Sequence, residues 1–548
     1  MIEYLEYALL LSVPLWPLLL VIALALPPMR NVTLRLIPTA PVPALITALW
    51  LSSDPELSLP WLLLGSSISI DDMSRVYLLF SSLLWLSGSL SLPAAGRLRF
   101  GCWFLTTMAG NFMVLLAQDM PTFFLAYAVM SLASFGMISH WQTKTATHAA
   151  KVYLVFAMLG EMILLSALLL MADNTLTLDL DFVRDRVPEH LLMALLFTGF
   201  GIKAGVPLLH MALPPAYAAV PLAAAVPMAG ALFHLGLYGW LRFLPLGEVE
   251  VPVWSTIFVT AAVVAMLYGV CVGLTQREAK PLLAYSSISQ MGIMMLGIGA
   301  GLAAPDHWPA IETALLFYAL HHALAKGALF HGLGVQHRHR AGIWLPALAL
   351  AGMPFSSGAL AKASLKQEIY ALPDFWSALI PWLLPIGSMG TTLLMARFLY
   401  LGFKKPAYPE QTSSPMWWIL LTILILLPWL VPLSIVWKHA LWSLTWPILL
   451  ATALAWPVYR VKTGAVFRRI PSLPPGDILL AVERLVSPLM VSHAGHAEHK
   501  KEAEALLHPP ATPALIALPE RFLGKWQVAV ILLLVLLVSV FLLLHVEF

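Results

Sequence analysis

Six side chains in this chain have the type and spacing to pass protons: Glu161, Lys203, His234, His322, Lys326 and Lys362. Each lies inside a long apolar stretch. Lys203 and His234 belong to TGFGIKAGVPLLHMALPPAYAAVPLAAAVPMAGALFHLGLYGWLRF (198–243), which is broken by Pro207, Pro214, Pro215, Pro221 and Pro227. His322 and Lys326 fall in LLFYALHHALAKGALFHGLGVQHRHR (315–340). They stand four residues apart and share a helix face, with His321 about a third of the way round. Lys362 closes ALALAGMPFSSGALAK, and Glu161 sits within VYLVFAMLGEMILLSALLL.

An ammonium placed inside a span costs about 2.5–3.5 kcal/mol on insertion scales, so such a residue is a functional hypothesis from the start. Helix-breaking prolines are tolerated at that depth only where the freed carbonyls meet protein or water. Two Pro/Gly-interrupted segments, 199–215 and 348–362, each carry a lysine. Paired interruptions of this kind point to an inverted-repeat transporter with its path at mid-membrane. Lysine in a low dielectric exchanges protons near neutral pH, and histidine does so with little tuning. Each residue also has a structural alternative. His234 can be a core histidine satisfied by a carbonyl, His322 and Lys326 can be packing glue, and Glu161 can be bonded to backbone or water. Lys203 can be merely structural, although a snorkelling lysine belongs nearer a span end. His210, His321 and His331 are read as structural or water-facing, and Lys280, beside Arg277 and Glu278, as a cytoplasmic anchor.

The composition sets the frame for these residues. The chain has 548 residues, 60% hydrophobic and 11% charged, against roughly 25% charged in soluble domains. It is therefore read as an all-α polytopic membrane protein. A net charge of +3 gives no reason to expect a nucleic-acid partner. Cys102 and Cys271 lie apart in apolar segments, no flavin fingerprint or quinone pocket is evident, and neither cofactor nor metal is expected. His493, His496 and His499 are read as part of an exposed linker in preference to a metal site. The acidic start MIEYLEY, followed by a run long enough to span, predicts no cleavable signal.

With about 20 apolar residues needed per span, about sixteen transmembrane helices are expected. They lie near 5–27, 36–53, 72–93, 99–117, 120–141, 148–171, 190–212, 217–243, 252–275, 281–301, 309–333, 342–363, 377–402, 415–436, 442–459 and 526–546. The seventh and twelfth are the broken ones, and the apolar run at 60–70 is a short hairpin or surface turn. Loops after odd-numbered spans are basic (Arg30 and Arg35, Arg97 and Arg99, Lys144 and Lys151, Arg277 and Lys280, Arg338 and Arg340, Lys404 and Lys405), while loops after even-numbered spans are acidic or weakly charged. The positive-inside rule then puts the odd loops in the cytoplasm and both termini outside. Residues 460–525 form an amphipathic, interfacial cytoplasmic segment. The division expected is N-terminal helices (1–98), a two-repeat conducting core (99–402), C-terminal helices (403–459), the interfacial segment, and a last span (526–548).

On GFGIKAGVPLLH, GALFHLGLYGWLRF, REAKPLLAYSSISQMG (277–292), LHHALAKGALF (320–330) and LALAGMPFSSGALAK (348–362), the chain resembles a known family. This is the antiporter-like membrane subunits of respiratory complex I, membrane-bound hydrogenases and Mrp cation/proton antiporters. The resemblance covers roughly residues 70–400. It implies that Lys203 is the lysine of the broken seventh span and His234 the basic residue of the eighth. His322 and Lys326 are then the pair of the eleventh, and Lys362 the lysine of the broken twelfth. Together they would form a chain of protonatable groups and water running laterally through the membrane.

Two departures stand out. FFLAYAVMSLASF (123–135) puts Ala128 where the family carries the glutamate that partners the seventh-span lysine, and Glu161 is the candidate relocated partner. ALPPAYAAVP (212–221) replaces the family's acid and histidine with Pro215 and Tyr217. The function expected is a proton-translocating subunit of a multi-subunit energy-coupling complex in the cell inner (plasma) membrane. It does no redox chemistry of its own and works with a redox arm of complex I or hydrogenase type. The alternatives are the membrane subunit of a DAB-type inorganic-carbon (bicarbonate or CO2) accumulation complex with a zinc carbonic-anhydrase-like partner, a stand-alone Na+/H+ antiporter, and a structural anchor with a decayed channel.

Overall fold

The computed structural model describes residues 2–51, 55–63, 65–175, 178–180, 189–369, 372, 374–404, 414–431, 437–460, 473–476 and 478–479. The expected last span and nearly all of the interfacial segment, with His493, His496 and His499, lie outside the described residues. Two compact units divide the chain, 1–58 with 66–475 and 59–65 with 476–548. All six candidate residues lie in the first unit. In the second, the described part of the 59–65 piece is turned back on itself, Leu62 N–H donating to the Leu59 carbonyl and Gly65 N–H to that of Leu62.

Helix dominates because almost every stretch is apolar and a membrane leaves backbone groups no other partner than the helix itself. The N-terminal part holds α1 (Ile2–Ala25), α2 (Arg30–Leu36) and α3 (Val42–Trp50). The second expected span thus begins earlier than its hydropathy suggests, as a run over Pro27–Trp50. Two three-residue strands, Leu57–Leu59 and Ser66–Ile68, pair where a hairpin or turn is expected. Four helices follow: α4 (Asp72–Ser89), α5 (Arg97–Leu116), α6 (Met120–Ile138) and α7 (Lys144–Thr175). Side-chain caps fix two of their starts. Asp71 and Ser74 form a reciprocal capping box on α4, and Asp119 accepts from Thr122 N–H at the head of α6.

The seventh span is interrupted, as its prolines and glycines require. It is α8 (His190–Ala204), a short irregular link, and α9 (Leu213–Ala219). Gly205 ends α8 at φ +75°, where a side chain is strained. The eighth is α10 (Leu222–Pro227) and α11 (Leu235–Phe243), joined through a π-helical turn at Met228–Leu232. Next come α12 (Pro252–Thr275), α13 (Ala279–Ala303) and α14 (Trp308–Gly332). The twelfth span repeats the interruption as α15 (Trp344–Ala351) and α16 (Ser357–Glu368), with Gly352 at φ +91° between them and Ser356 capping α16. The described helices close with α17 (Asp374–Lys404), α18 (Ser414–Leu430) and α19 (Trp437–Arg460).

Among the described residues, helix occupies each of the first fifteen expected spans, and eight helical runs are long and apolar enough to cross a membrane by length and composition. Burial differs sharply among these eight. Leu222–Phe243 and α13 are wholly buried, whereas Tyr4–Ala25, α7, α12 and Phe375–Phe403 each leave much of their surface open. A helix apolar all round and buried all round is a bundle core. Leu222–Phe243 and α13, with α14 against them, are that core, and the polar side chains of interest converge on it.

Candidate functional site

Lys203 stands in the last turn of α8, where the negative end of the helix suits a cation. Its Nζ donates to Ser131 Oγ on α6 (2.9 Å) and to Tyr153 OH on α7 (3.0 Å). It lies 5.2 Å from the centre of the Tyr127 ring and 5.3 Å from that of Tyr153, within cation–π range. The carboxylate of Glu161, on α7, lies near enough to interact electrostatically with the Lys203 amine and with Ser131. Glu161 is only 5% exposed. Among the described residues neither its Oε1 nor the Tyr127 hydroxyl has a hydrogen-bond partner. A cavity of about 30 Å3 opens here, lined by Tyr127, Ser131, Tyr153, Gly160, Gly199 and Lys203. Ala128 lies one turn before Ser131 on α6, so α6 supplies a hydroxyl and α7 the acid.

The centre of the molecule is built on a helix defect. Pro227 lacks the N–H an α-helix needs, and the next turn widens, Phe233 N–H reaching the Met228 carbonyl. At the end of that turn His234 Nδ1 lies 2.5 Å from the Gly230 carbonyl oxygen. His234 Nε2 lies 3.0 Å from His322 Nδ1 on α14. A carbonyl can only accept, so the proton of a neutral His234 sits on Nδ1 and its Nε2 accepts from His322 Nδ1–H. That leaves His322 Nε2 as a bare acceptor, buried and without a partner among the described residues. Gly230 lets the helices pack closely here, since a Cβ there would run into the Leu84 side chain of α4 and lie 3.0 Å from the Ala323 carbonyl oxygen of α14.

Lys326, one turn beyond His322 and fully buried, donates to the Leu283 carbonyl at 2.9 Å. Lys362 donates to the Leu350 and Ala351 carbonyls, each at 3.0 Å, across the second break. Of the six candidates, then, His234 bonds His322 directly, and Lys203 and Glu161 lie near one another beside Ser131. Lys326 and Lys362 bond main-chain carbonyls instead. The other histidines tie helices together: His210 to Tyr268 OH (3.2 Å), His321 to Ser357 Oγ (2.9 Å) and His331 to Ser87 Oγ (2.6 Å).

Lys280 corrects the sequence reading. It is 4% exposed, and its Nζ donates at 2.7 Å to the Val220 carbonyl, left over at the end of α9. A helix end inside the bundle needs such a donor. Sequence reasoning also misses the lysine cage of Tyr127, Ser131 and Tyr153, and the ion pair of Arg242 Nη1 with Asp71 Oδ2 at 2.6 Å. Arg242 Nε is bonded to Tyr238 OH at 3.0 Å. An arginine at the end of an apolar run was a signal for the latter. Burial pushes the Asp71 carboxyl up, but the Arg242 guanidinium and the Ser74 N–H outweigh it and hold it below its ordinary value.

Residues 117–343 match the family described as NADH:quinone oxidoreductase/Mrp antiporter, TM. Hydrogenase-4 component B of Escherichia coli K12 is 32% identical over 245 residues, which is 42% of this chain and 36% of that protein. NADH-quinone oxidoreductase subunit M of Pseudomonas aeruginosa is 26% identical over 389 residues, 64% of this chain and 75% of that one. The chain therefore spans about a third of the first relative's length and three quarters of the second's. Among solved structures, the Mrp complex of Dietzia sp. DQ12-45-1b aligns with a TM-score of 0.71 over 97% of this chain and 63% of that chain, at 19% identity.

Proposed function

We propose that this chain, whose residues 117–343 match the NADH:quinone oxidoreductase/Mrp antiporter family, translocates protons as one subunit of a larger energy-coupling complex. The observation that carries this reading is the buried His234–His322 pair with its unpartnered Nε2. Two histidines joined ring to ring, one of them holding an open lone pair, can take a proton at one end and release it at the other. Residues 99–402 form the conducting core in this reading. Glu161 and Lys203 are its first station, His234, His322 and Lys326 its centre, and Lys362 its far end. The protein works in the cell inner (plasma) membrane, and its driving force comes from a partner, a redox arm of complex I or hydrogenase type.

The test is proton flux into vesicles holding the intact complex, compared with Lys203→Ala and His322→Ala forms. Flux should fall about 100-fold, the range of a lost proton-transfer group. Unchanged flux in both variants would end the proposal. The Glu161 arrangement favours a second reading of the partner. An acid moved from α6 to α7 fits a specialised, non-redox complex, with an inorganic-carbon substrate and a zinc carbonic-anhydrase-like subunit. The protein that co-purifies decides between the two, and sodium dependence of the flux tests Na+ as the alternative ion.

A further inference from the structure

Resting on the proton-translocation reading, the geometry points to a site beyond the six: Lys366 is the outer proton carrier, and the groove between α16 and α17 is the outlet that connects Lys362 to the membrane surface. Lys366 stands four residues after Lys362 and so on the same face of α16. Both lysines line one small cavity of about 30 Å3, together with Ile293, Pro385, Ser388 and Ser443. A second, smaller cavity of about 10 Å3 begins at Lys366 and continues past Ser377, Ile380 and Pro381 toward the start of α17. Lys366 is the lining residue that, with its aliphatic neighbours Ile369 and Leu384, is common to both.

The chemistry requires such a group. Lys362 is bonded to two amide carbonyls, and amides are too weakly basic to carry its proton onward. No titratable side chain other than Lys362 and Lys366 lines either pocket. Pro381 and Pro385 lie within α17, and Pro385 removes the donor that an unbroken helix would aim at the Pro381 carbonyl, an acceptor for water in the groove wall. The transfer balances simply. The Lys362 ammonium gives one proton to water in the groove, that water gives one to the neutral Lys366 amine, and Lys366 releases a proton to bulk. Lys362 is left neutral, ready to be reloaded from the Lys326 side. The charge bias of the loops puts the end of α16 on the non-cytoplasmic face.

The experiment uses the intact complex in vesicles, with Cys102→Ala and Cys271→Ala as background. Lys366→Cys should cut proton flux about tenfold or more, as for a lost proton carrier. Treatment with 2-aminoethyl methanethiosulfonate rebuilds a primary amine and should restore most of the flux. The trimethylammonium analogue, a charge that holds no exchangeable proton, should not. Lys366→Arg keeps a cation that does not deprotonate and should be as slow as Lys366→Cys. Parental flux in Lys366→Cys or Lys366→Arg, while Lys362→Ala is inactive, would overturn the assignment, as would equal rescue by the trimethylammonium reagent. If Lys203→Ala, Lys362→Ala and Lys366→Cys all conduct normally, the translocation reading itself falls, and this one with it.

Discussion

The two broken helices use one backbone device and surround their lysines differently. In each, a glycine with positive φ ends the first half (Gly205, Gly352), and a non-glycine with positive φ follows three residues later (Leu208, Phe355). In each, the lysine lies at the carboxyl end of that first half. Lys203 does so from within α8, while Lys362 reaches back from α16 to the last carbonyls of α15. The neighbours differ in kind. Around Lys203 stand two hydroxyls, two aromatic faces and a nearby carboxylate. Among the described residues, Lys362 bonds main-chain carbonyls alone. Hydroxyls and carboxylates can trade protons with an amine, and carbonyls can only hold it in place. The first break is thus suited to loading a lysine and the second to pinning one whose proton must leave by another way.

The harshest test of that contrast removes each amine. Lys203→Ala and Lys362→Ala should both lower flux about 100-fold, but only the second also strips two carbonyls of their donor within the bundle. Losing a partner to buried groups costs about 1–3 kcal/mol each. Thermal unfolding in detergent should therefore drop further for Lys362→Ala than for Lys203→Ala. Equal melting losses would mean that the carbonyl bonds of Lys362 do not distinguish the two sites.

A tenfold effect separates the acid from its scaffold. Glu161→Gln keeps size and hydrogen bonding but cannot ionise, and flux should fall about tenfold or more. Adding Ala128→Glu to it places an acid on α6, one turn from Ser131, and should recover part of the loss. A double variant no better than Glu161→Gln would show that the position on α7, and not the mere presence of an acid near Lys203, is what this chain requires.

Both breaks are legible in the sequence because Pro and Gly cluster within runs that are otherwise uniformly apolar, and a lysine in such a run is conspicuous. Glu161 is legible for the same reason. The tyrosine cage is not, because an aromatic in a span fits lipid, packing or a site equally well. Only the fold reveals that Tyr153 and Ser131 converge on one amine. Lys280 is misleading for the opposite reason. It sits in the first turn of α13 beside Arg277, where a surface anchor belongs. What buries it is the carbonyl of Val220, sixty residues away in the chain. Local pattern marks where helices fail, and only tertiary structure says which distant donor repairs each failure.

The smallest and most discriminating effects come from the paired glycines. Alanine at a left-handed position is strained by about 1–2 kcal/mol, so Gly205→Ala and Gly352→Ala should lower the melting temperature by similar amounts. Their surroundings predict a split in function. A Cβ at Gly205 first meets an aliphatic carbon, Ile288 Cγ1, at 3.2 Å, and side chains of that kind can shift. At Gly352 it presses on the stem of the functional lysine, 3.1 Å from Lys362 Cδ and 3.3 Å from Nζ. Gly352→Ala should therefore displace the amine from its carbonyls and reduce flux several-fold, while Gly205→Ala conducts nearly as the parent does. Flux measured at matched protein content, beside melting curves for both variants, reads strain and amine position separately. If the two lose flux alike, the strain of the bend governs transport at both breaks, and the different neighbours of the two lysines do not.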